Sequence, residues 1–266
     1  MPLTVIQPAA RGFGETTRRD AWWLTPLTIF TVLTSFIIYT TWAAFQNANY
    51  FWGPYLSPFY SPALWGDFPH AWFGPRPAWY PTVLPFSPAL FILVFPAGFR
   101  FTCYYYRGAY YKAFWADPPS CSVGEPRKGY WGEQSFPLLL QNIHRYFLYA
   151  AIAFIFLLAW DVWHAFWWED APGTVRFGMG LGTLILAVNV VLLGGYTFGC
   201  HSLRHLIGGG RDRISANGLQ LRAYNCVSCL NRRHMVWAYM SLFWVAFSDI
   251  YVRMVASGHW TDWRIF

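Results

Sequence analysis

The 266-residue chain is 56% hydrophobic and 22% aromatic, with 12% charged residues, about half the charged share of a soluble domain. That excludes an ordinary water-soluble enzyme. The net charge of +7 needs no nucleic acid to explain it, because a basic membrane face suits anionic lipid and a cytoplasmic partner.

Crossing a bilayer takes roughly 20 apolar residues at about 1.5 Å each. Five stretches qualify: residues 22–45, 85–106, 136–168, 173–206 and 231–256. The fold class expected is therefore an all-α membrane protein, a single five-transmembrane-helix bundle. The first stretch is too long for the h-region of a secretory signal. Residues 47–84 form an outer loop rich in Pro, Trp, Tyr and Phe, suited to the membrane interface. Pro88 and Pro96 interrupt the second stretch, which neighbouring helices can tolerate. Polar, basic loops follow at residues 107–135 and 207–230. The run Gly178-Met179-Gly180-Leu181-Gly182 lacks a preceding strand, so it reads as close helix packing and not as a nucleotide loop.

Basic residues set the orientation. With the N-terminus cytoplasmic and the C-terminus outside, 15 of the 19 Lys and Arg fall on inner segments. Only Arg76, Arg176, Arg253 and Arg264 fall outside. The chain is expected in the cytoplasmic (inner) membrane as a multi-pass protein, with reduced cysteines on the inner side.

Four of the seven histidines and three of the five cysteines lie near inner helix ends. His201 and His205 are four apart, so their rings leave one helix face. Cys226-Val227-Ser228-Cys229 immediately precedes His234, and His144 is expected about two turns into the third helix. A C-x-x-C pair can place two thiolates on one iron or zinc. With two of His201, His205 and His234 it gives the Cys₂His₂ donor set of a Rieske-type [2Fe–2S] cluster, although the usual C-x-H and C-x-x-H spacings are absent. Structural zinc uses the same donors. The rival cofactor is haem b, held by His144 with His201 or His205, which leaves the cysteines unexplained.

A second polar group is expected near the outer side: Asp161, His164, Asp249 and Arg253. Asp249 and Arg253 have ion-pair spacing. Ionisable groups at membrane depth are functional candidates; here Asp249 or Asp161 with Arg253 can equally lock two helices together. Trp23 and Trp237 are candidates to flank a flat quinone ring, and Asn189 to join helices.

Four segments carry a resemblance: Gln141-Asn142-Ile143-His144-Arg145-Tyr146, Cys200-His201-Ser202-Leu203-Arg204-His205, Asn231-Arg232-Arg233-His234-Met235 and Phe247-Ser248-Asp249-Ile250-Tyr251-Val252-Arg253. Over about residues 95–257 the chain resembles the five-helix, actinobacterial-type membrane anchor of succinate dehydrogenase/fumarate reductase, respiratory complex II. That resemblance implies flavoprotein and iron–sulfur subunits on the cytoplasmic side and reduction of a membrane quinone. Two-haem anchors draw ligands from early helices that lack histidine here, so the Cys/His set becomes the preferred relay. Arg145, Arg232 or Arg233 could stabilise the developing quinone oxyanion. Alternatives are a haem-b anchor working in the fumarate direction and a non-redox docking protein. A transporter would call for inverted repeats or broken polar helices, which the chain lacks.

Overall fold

A computed structural model describes residues 12–68, 71–83, 86–129, 136, 138–171, 173–209, 213–214 and 217–266. Within the stretches named above, residues 69–70, 84–85, 130–135, 137, 210–212 and 215–216 lie outside the described residues. The elements in chain order are α1 (Leu24–Gln46), β1 (Phe51–Trp52), β2 (Tyr55–Leu56), α2 (Pro88–Ile92), α3 (Val94–Phe101) and α4 (Tyr104–Ala109). They continue with α5 (His144–His164), β3 (Trp167–Ala171), β4 (Thr174–Phe177), α6 (Leu181–Phe198), α7 (His201–Gly208), α8 (Gly218–Asn231) and α9 (His234–Ala256).

Among the described residues, four helices are long and apolar enough to cross a membrane: Leu24–Gln46, Leu139–His164, Leu181–Phe198 and His234–Ala256. The second stretch, 85–106, departs from the expected single helix. Pro96 has no N–H for the helical ladder, and the helix yields to α2 and α3, with Leu93 bonding back to Ala89 at 2.9 Å. Extended backbone at Cys103 (ψ 127) then starts α4. The expected inner loop 207–230 also differs, because much of it is α8. Asn217 caps that helix, its side chain accepting from the N–H groups of Leu219 and Gln220 at 3.1 and 3.3 Å, a bond that satisfies orphan donors of the first turn.

The chain divides into two units, Met1–Ser35 with Arg100–Asn142, and Phe36–Phe99 with Ile143–Phe266. In the first, Gly14 donates to the Gly124 carbonyl at 3.0 Å and Gly124 to that of Glu15 at 2.9 Å. Arg18 reaches the Ser120 hydroxyl at 2.8 Å and the Cys121 carbonyl at 3.0 Å. Cys103 is buried in this unit, and Cys121 is exposed.

The second unit is built on α6, which packs against both α9 and α5. Close approach depends on glycine. A Cβ on Gly195 would lie 2.6 Å from the Trp237 ring, and one on Gly182 would enter the ring of Tyr55. This is the small-residue packing expected of apolar spans, and Gly182 belongs to the Gly-Met-Gly-Leu-Gly run. Trp244 adds an indole hydrogen bond to the Ile185 carbonyl at 2.9 Å. Asn189 is buried on α6, and its side-chain Oδ1 has no hydrogen-bond partner among the described residues.

Two hairpins close one end. β1–β2 is antiparallel, pairing Phe51 with Leu56, and β3–β4 pairs Trp167 with Phe177. Residues 167–168 and 174–177, expected as helix ends, lie in strands; Gly173 turns between them at φ 79, backbone that glycine adopts without steric cost. The C-terminal tail lies along the start of α6, Leu181 donating to the Trp263 carbonyl at 2.9 Å.

Candidate functional site

Unit two has two ends. At the hairpin end α5 and α9 finish and α6 begins; at the α7 end the reverse holds.

The hairpin end holds the expected polar group, arranged as a lock. Asp249 is fully buried and Arg253 nearly so. Arg253 Nε donates to Asp249 Oδ2 at 2.7 Å. Its other nitrogens donate to the carbonyls of Ala48 at 2.8 Å and Ala43 at 3.0 Å. The last four carbonyls of a helix lack intrahelical partners, and Ala43 is one of these in α1. Asp249 also accepts from the hydroxyls of Tyr39 and Ser57. Tyr60 donates to Ala43 at 2.9 Å while accepting from the Asn47 N–H at 3.0 Å. The loop that follows α1 is thereby fastened over the helix ends around a core of Ala43, Ala44, Leu56, Phe59, Tyr60 and Val245.

Asp161 does not join this ion pair. It accepts from the Ser61 hydroxyl, so the alternative pairing with Arg253 is replaced by a second fastening of the loop. His164 stands edge-on to Trp160, ring centroids 4.9 Å apart. Nearby, Asp262 accepts from Tyr55 at 2.9 Å, from Tyr251 at 2.5 Å and from the Gly182 N–H at 2.9 Å. Burial, with the Asp262 charge behind it, holds the Tyr55 phenol above its usual range. A groove of about 710 Å³ runs beside it, walled by Leu184, Val188, Trp244, Phe247, Trp260 and Trp263.

The α7 end gathers a different chemistry. His144 opens α5, where the sequence placed it two turns in, because residues 138–143 form a 3₁₀ turn. Its Nε2 lies 3.2 Å from Cys200 Sγ, and both residues are buried. His144 stacks on Phe99 at 4.6 Å and 9°. Phe99 meets Tyr196 at 5.3 Å, and Tyr196 stacks on His234 at 4.9 Å. His234 is 1% exposed. The backbone is shaped to admit it: a Cβ on Gly199 would lie 3.3 Å from His234 Nδ1, and Asn231 ties this turn by donating to the Gly199 carbonyl at 2.8 Å.

The predicted C-x-x-C ligand set is not drawn together. Cys226 and Cys229 are exposed on α8. His201 and His205 are exposed on α7 and face each other, Nε2 to Nε2 at 3.0 Å. Among the described residues no group of three or more His, Cys, Asp or Glu has a metal-holding arrangement. The physical reason is local: a helix places residues three apart as surface neighbours, and α8 presents both thiols outward. The rings proposed to pair with His144 for haem, His201 and His205, are exposed and bond to each other, whereas His144 is buried. Burial, then the neighbouring charges of His205 and Arg204, keep the His201 imidazole below its ordinary value. Arg145, Arg232 and Arg233 are exposed at this end. Trp237 packs on Gly195, while Trp23, in the first unit, is exposed.

Sequence reasoning named Cys200 only as a neighbour of His201 and did not single out Phe99 or Tyr196. Its place beside His201 was the available signal for Cys200; nothing in the pattern marked the two rings.

Four helices long and apolar enough to cross a bilayer, among the described residues, define a multi-pass helical membrane protein, with buried imidazole and thiol groups at one end of its second unit. The chain belongs to the family described as actinobacterial succinate dehydrogenase subunit SdhC, whose family model matches residues 24–258. It is the membrane-anchor subunit of that dehydrogenase. A chain in the solved structure of the Mycobacterium smegmatis Sdh1 complex in the apo form is similar at 40% identity, covering 98% of each chain with a TM-score of 0.85. No curated protein matches.

Proposed function

We propose that this anchor passes electrons from a cytoplasmic iron–sulfur subunit, itself fed by a flavoprotein subunit, to a membrane quinone at the α7 end. The observation that carries the reading is the buried contact of His144 with Cys200, linked through Phe99 and Tyr196 to buried His234. The similar M. smegmatis chain comes from an Sdh1 complex, which supports assembly with other subunits. The excess of Lys and Arg on this side supports a cytoplasmic α7 end, with the N-terminus inside and the C-terminus outside.

The expected relay is a Rieske-type [2Fe–2S] centre, which takes two thiolates and two imidazoles. Cys226 and Cys229 with the exposed His201 and His205 do not fit it. Buried His144, His234 and Cys200 carry its donor types, two imidazoles and one thiol, and are the residues that would hold it. When bound, such a centre supplies one-electron transfer at a potential raised by its imidazoles. The chain's own residues do the rest. Phe99 and Tyr196 sheathe the imidazoles from water, and Gly199 leaves room for His234. Arg145, Arg232 and Arg233 offer positive charge where a quinone oxygen becomes anionic.

Low-temperature paramagnetic resonance of the purified complex tests this. The expected result is a Rieske-like signal that disappears in His144→Ala, His234→Ala and Cys200→Ser and persists in Cys226→Ser. A signal and quinone reduction that both survive the first three changes would overturn the reading. A reduced-minus-oxidised haem band, absent in His144→Ala, would instead favour the haem-b anchor.

A further inference from the structure

The two imidazoles on α7 are absorbed by neither the hairpin-end lock nor the buried His144–Cys200 contact. Their ring centroids lie 4.5 Å apart with planes at 80°, and the Nε2 atoms converge to 3.0 Å on an exposed face. Two neutral imidazoles in this arrangement share one proton in an N–H···N bond. A divalent ion can replace that proton. Nitrogen ligands sit about 2.0–2.1 Å from such an ion, so two of them at right angles are about 2.9 Å apart, close to the observed separation. Helical His-x-x-x-His spacing is the one that brings two rings to one metal, and imidazole suits borderline ions such as Ni²⁺, Cu²⁺ and Zn²⁺.

We infer that His201 and His205 form an exchangeable surface site for one borderline divalent cation, separate from any buried redox centre, with water completing the coordination. The platform is firm. α7 packs on α8, Gln220 donates to the Ile207 carbonyl at 2.6 Å, and Gly209 closes the helix by donating to His205 at 2.8 Å. Arg204 works against the ion, but its guanidinium lies over the Tyr224 ring at 5.0 Å, on α8. The exposed thiols of Cys226 and Cys229 are the softer competitor for Zn²⁺, which makes Ni²⁺ the sharper probe.

The experiment is an equilibrium titration of the untagged, intact complex with Ni²⁺ against a chelating dye. One Ni²⁺ per anchor is expected, weakened on the order of tenfold or more in His201→Ala and in His205→Ala, and unchanged in Cys226→Ser/Cys229→Ser. Arg204→Gln removes a nearby cation and should tighten binding roughly threefold, a gain that misfolding does not mimic. Absence of binding in the natural protein, indifference to both histidine changes, loss with the cysteine pair, or no gain in Arg204→Gln would each overturn the site. The resonance signal proposed for the buried centre should persist in His205→Ala, so the two readings fail separately.

Discussion

The two ends of the second unit spend their polar residues differently. At the hairpin end Asp249 accepts from Tyr39, Ser57 and Arg253, and the remaining Arg253 nitrogens cover backbone carbonyls. Donors and acceptors there answer one another, and the result is a fastening. At the α7 end the donors are imidazole and thiol, soft groups held buried by rings and a missing Cβ. A buried charge in a membrane protein is a functional candidate by default; this comparison shows that the partner list decides. A carboxylate whose partners are all supplied by the fold has little left to offer a substrate.

Arg253 tests the lock most directly. Removing it as Arg253→Met leaves the Asp249 carboxylate buried and short of its cation, a cost of about 3–5 kcal/mol. The expected outcome is a steep fall in heat stability and yield of the complex, with quinone reduction per assembled complex unchanged. If assembly survives and turnover falls instead, the hairpin end is doing chemistry and the lock reading is wrong. Gly195→Ala comes next. Its Cβ must push the Trp237 ring aside, and overpacking of this kind costs about 1–3 kcal/mol. Because Tyr196 neighbours Gly195, this change should also disturb the stacking on His234, visible as a broadened or shifted resonance signal. A stability loss with an unaltered signal would separate helix packing from the buried imidazoles. Asp161→Asn should cost less than either, about 0.5–1.5 kcal/mol for one exchanged hydrogen bond to Ser61. A loss in thermal unfolding as large as that of Arg253→Met would mean Asp161 has partners of comparable weight.

Much of this is legible in the amino-acid sequence alone. The first and last spans, expected at 22–45 and 231–256, are α1 and α9 within a few residues, because long apolar runs have few alternatives and Pro26 falls in the first turn of α1, where its missing N–H has no partner to lose. The Asp249–Arg253 pair followed from helical spacing alone. What failed was locally ambiguous. Trp167 and Trp168 read as the end of a helix, yet Gly173 and the pairing of residues 167–171 with 174–177 make a hairpin. Polar residues 218–231 read as a loop, yet Asn217 caps them into a helix. The C-x-x-C pair misled for a related reason: spacing says two thiols are neighbours, not whether the helix that bears them turns them inward. Cys200, alone in sequence, is the thiol that meets an imidazole, because the break between α6 and α7 carries it to the start of α5. Phe99 and Tyr196 are two rings among many, and no periodicity distinguishes them.

The smallest expected effect isolates burial as the variable. Arg18 and Asp20 in the first unit form an ion pair of the same residue types as Arg253 and Asp249, but Asp20 is exposed. Its hydrogen bond with Arg18 holds the carboxyl below the ordinary carboxylate value. A depressed carboxyl stabilises the fold above the unfolded value, and that contribution is lost as the pH falls through the folded one. Water and salt screen an exposed pair, so the contribution is small to begin with. Asp20→Asn should therefore leave the unfolding temperature near that of the natural protein at neutral pH, and any difference should vanish below the carboxylate range. Unfolding scans of both proteins at neutral and acid pH check this. A loss at neutral pH rivalling that of Arg253→Met would show that ion pairing itself, and not its burial among backbone carbonyls, secures this membrane subunit.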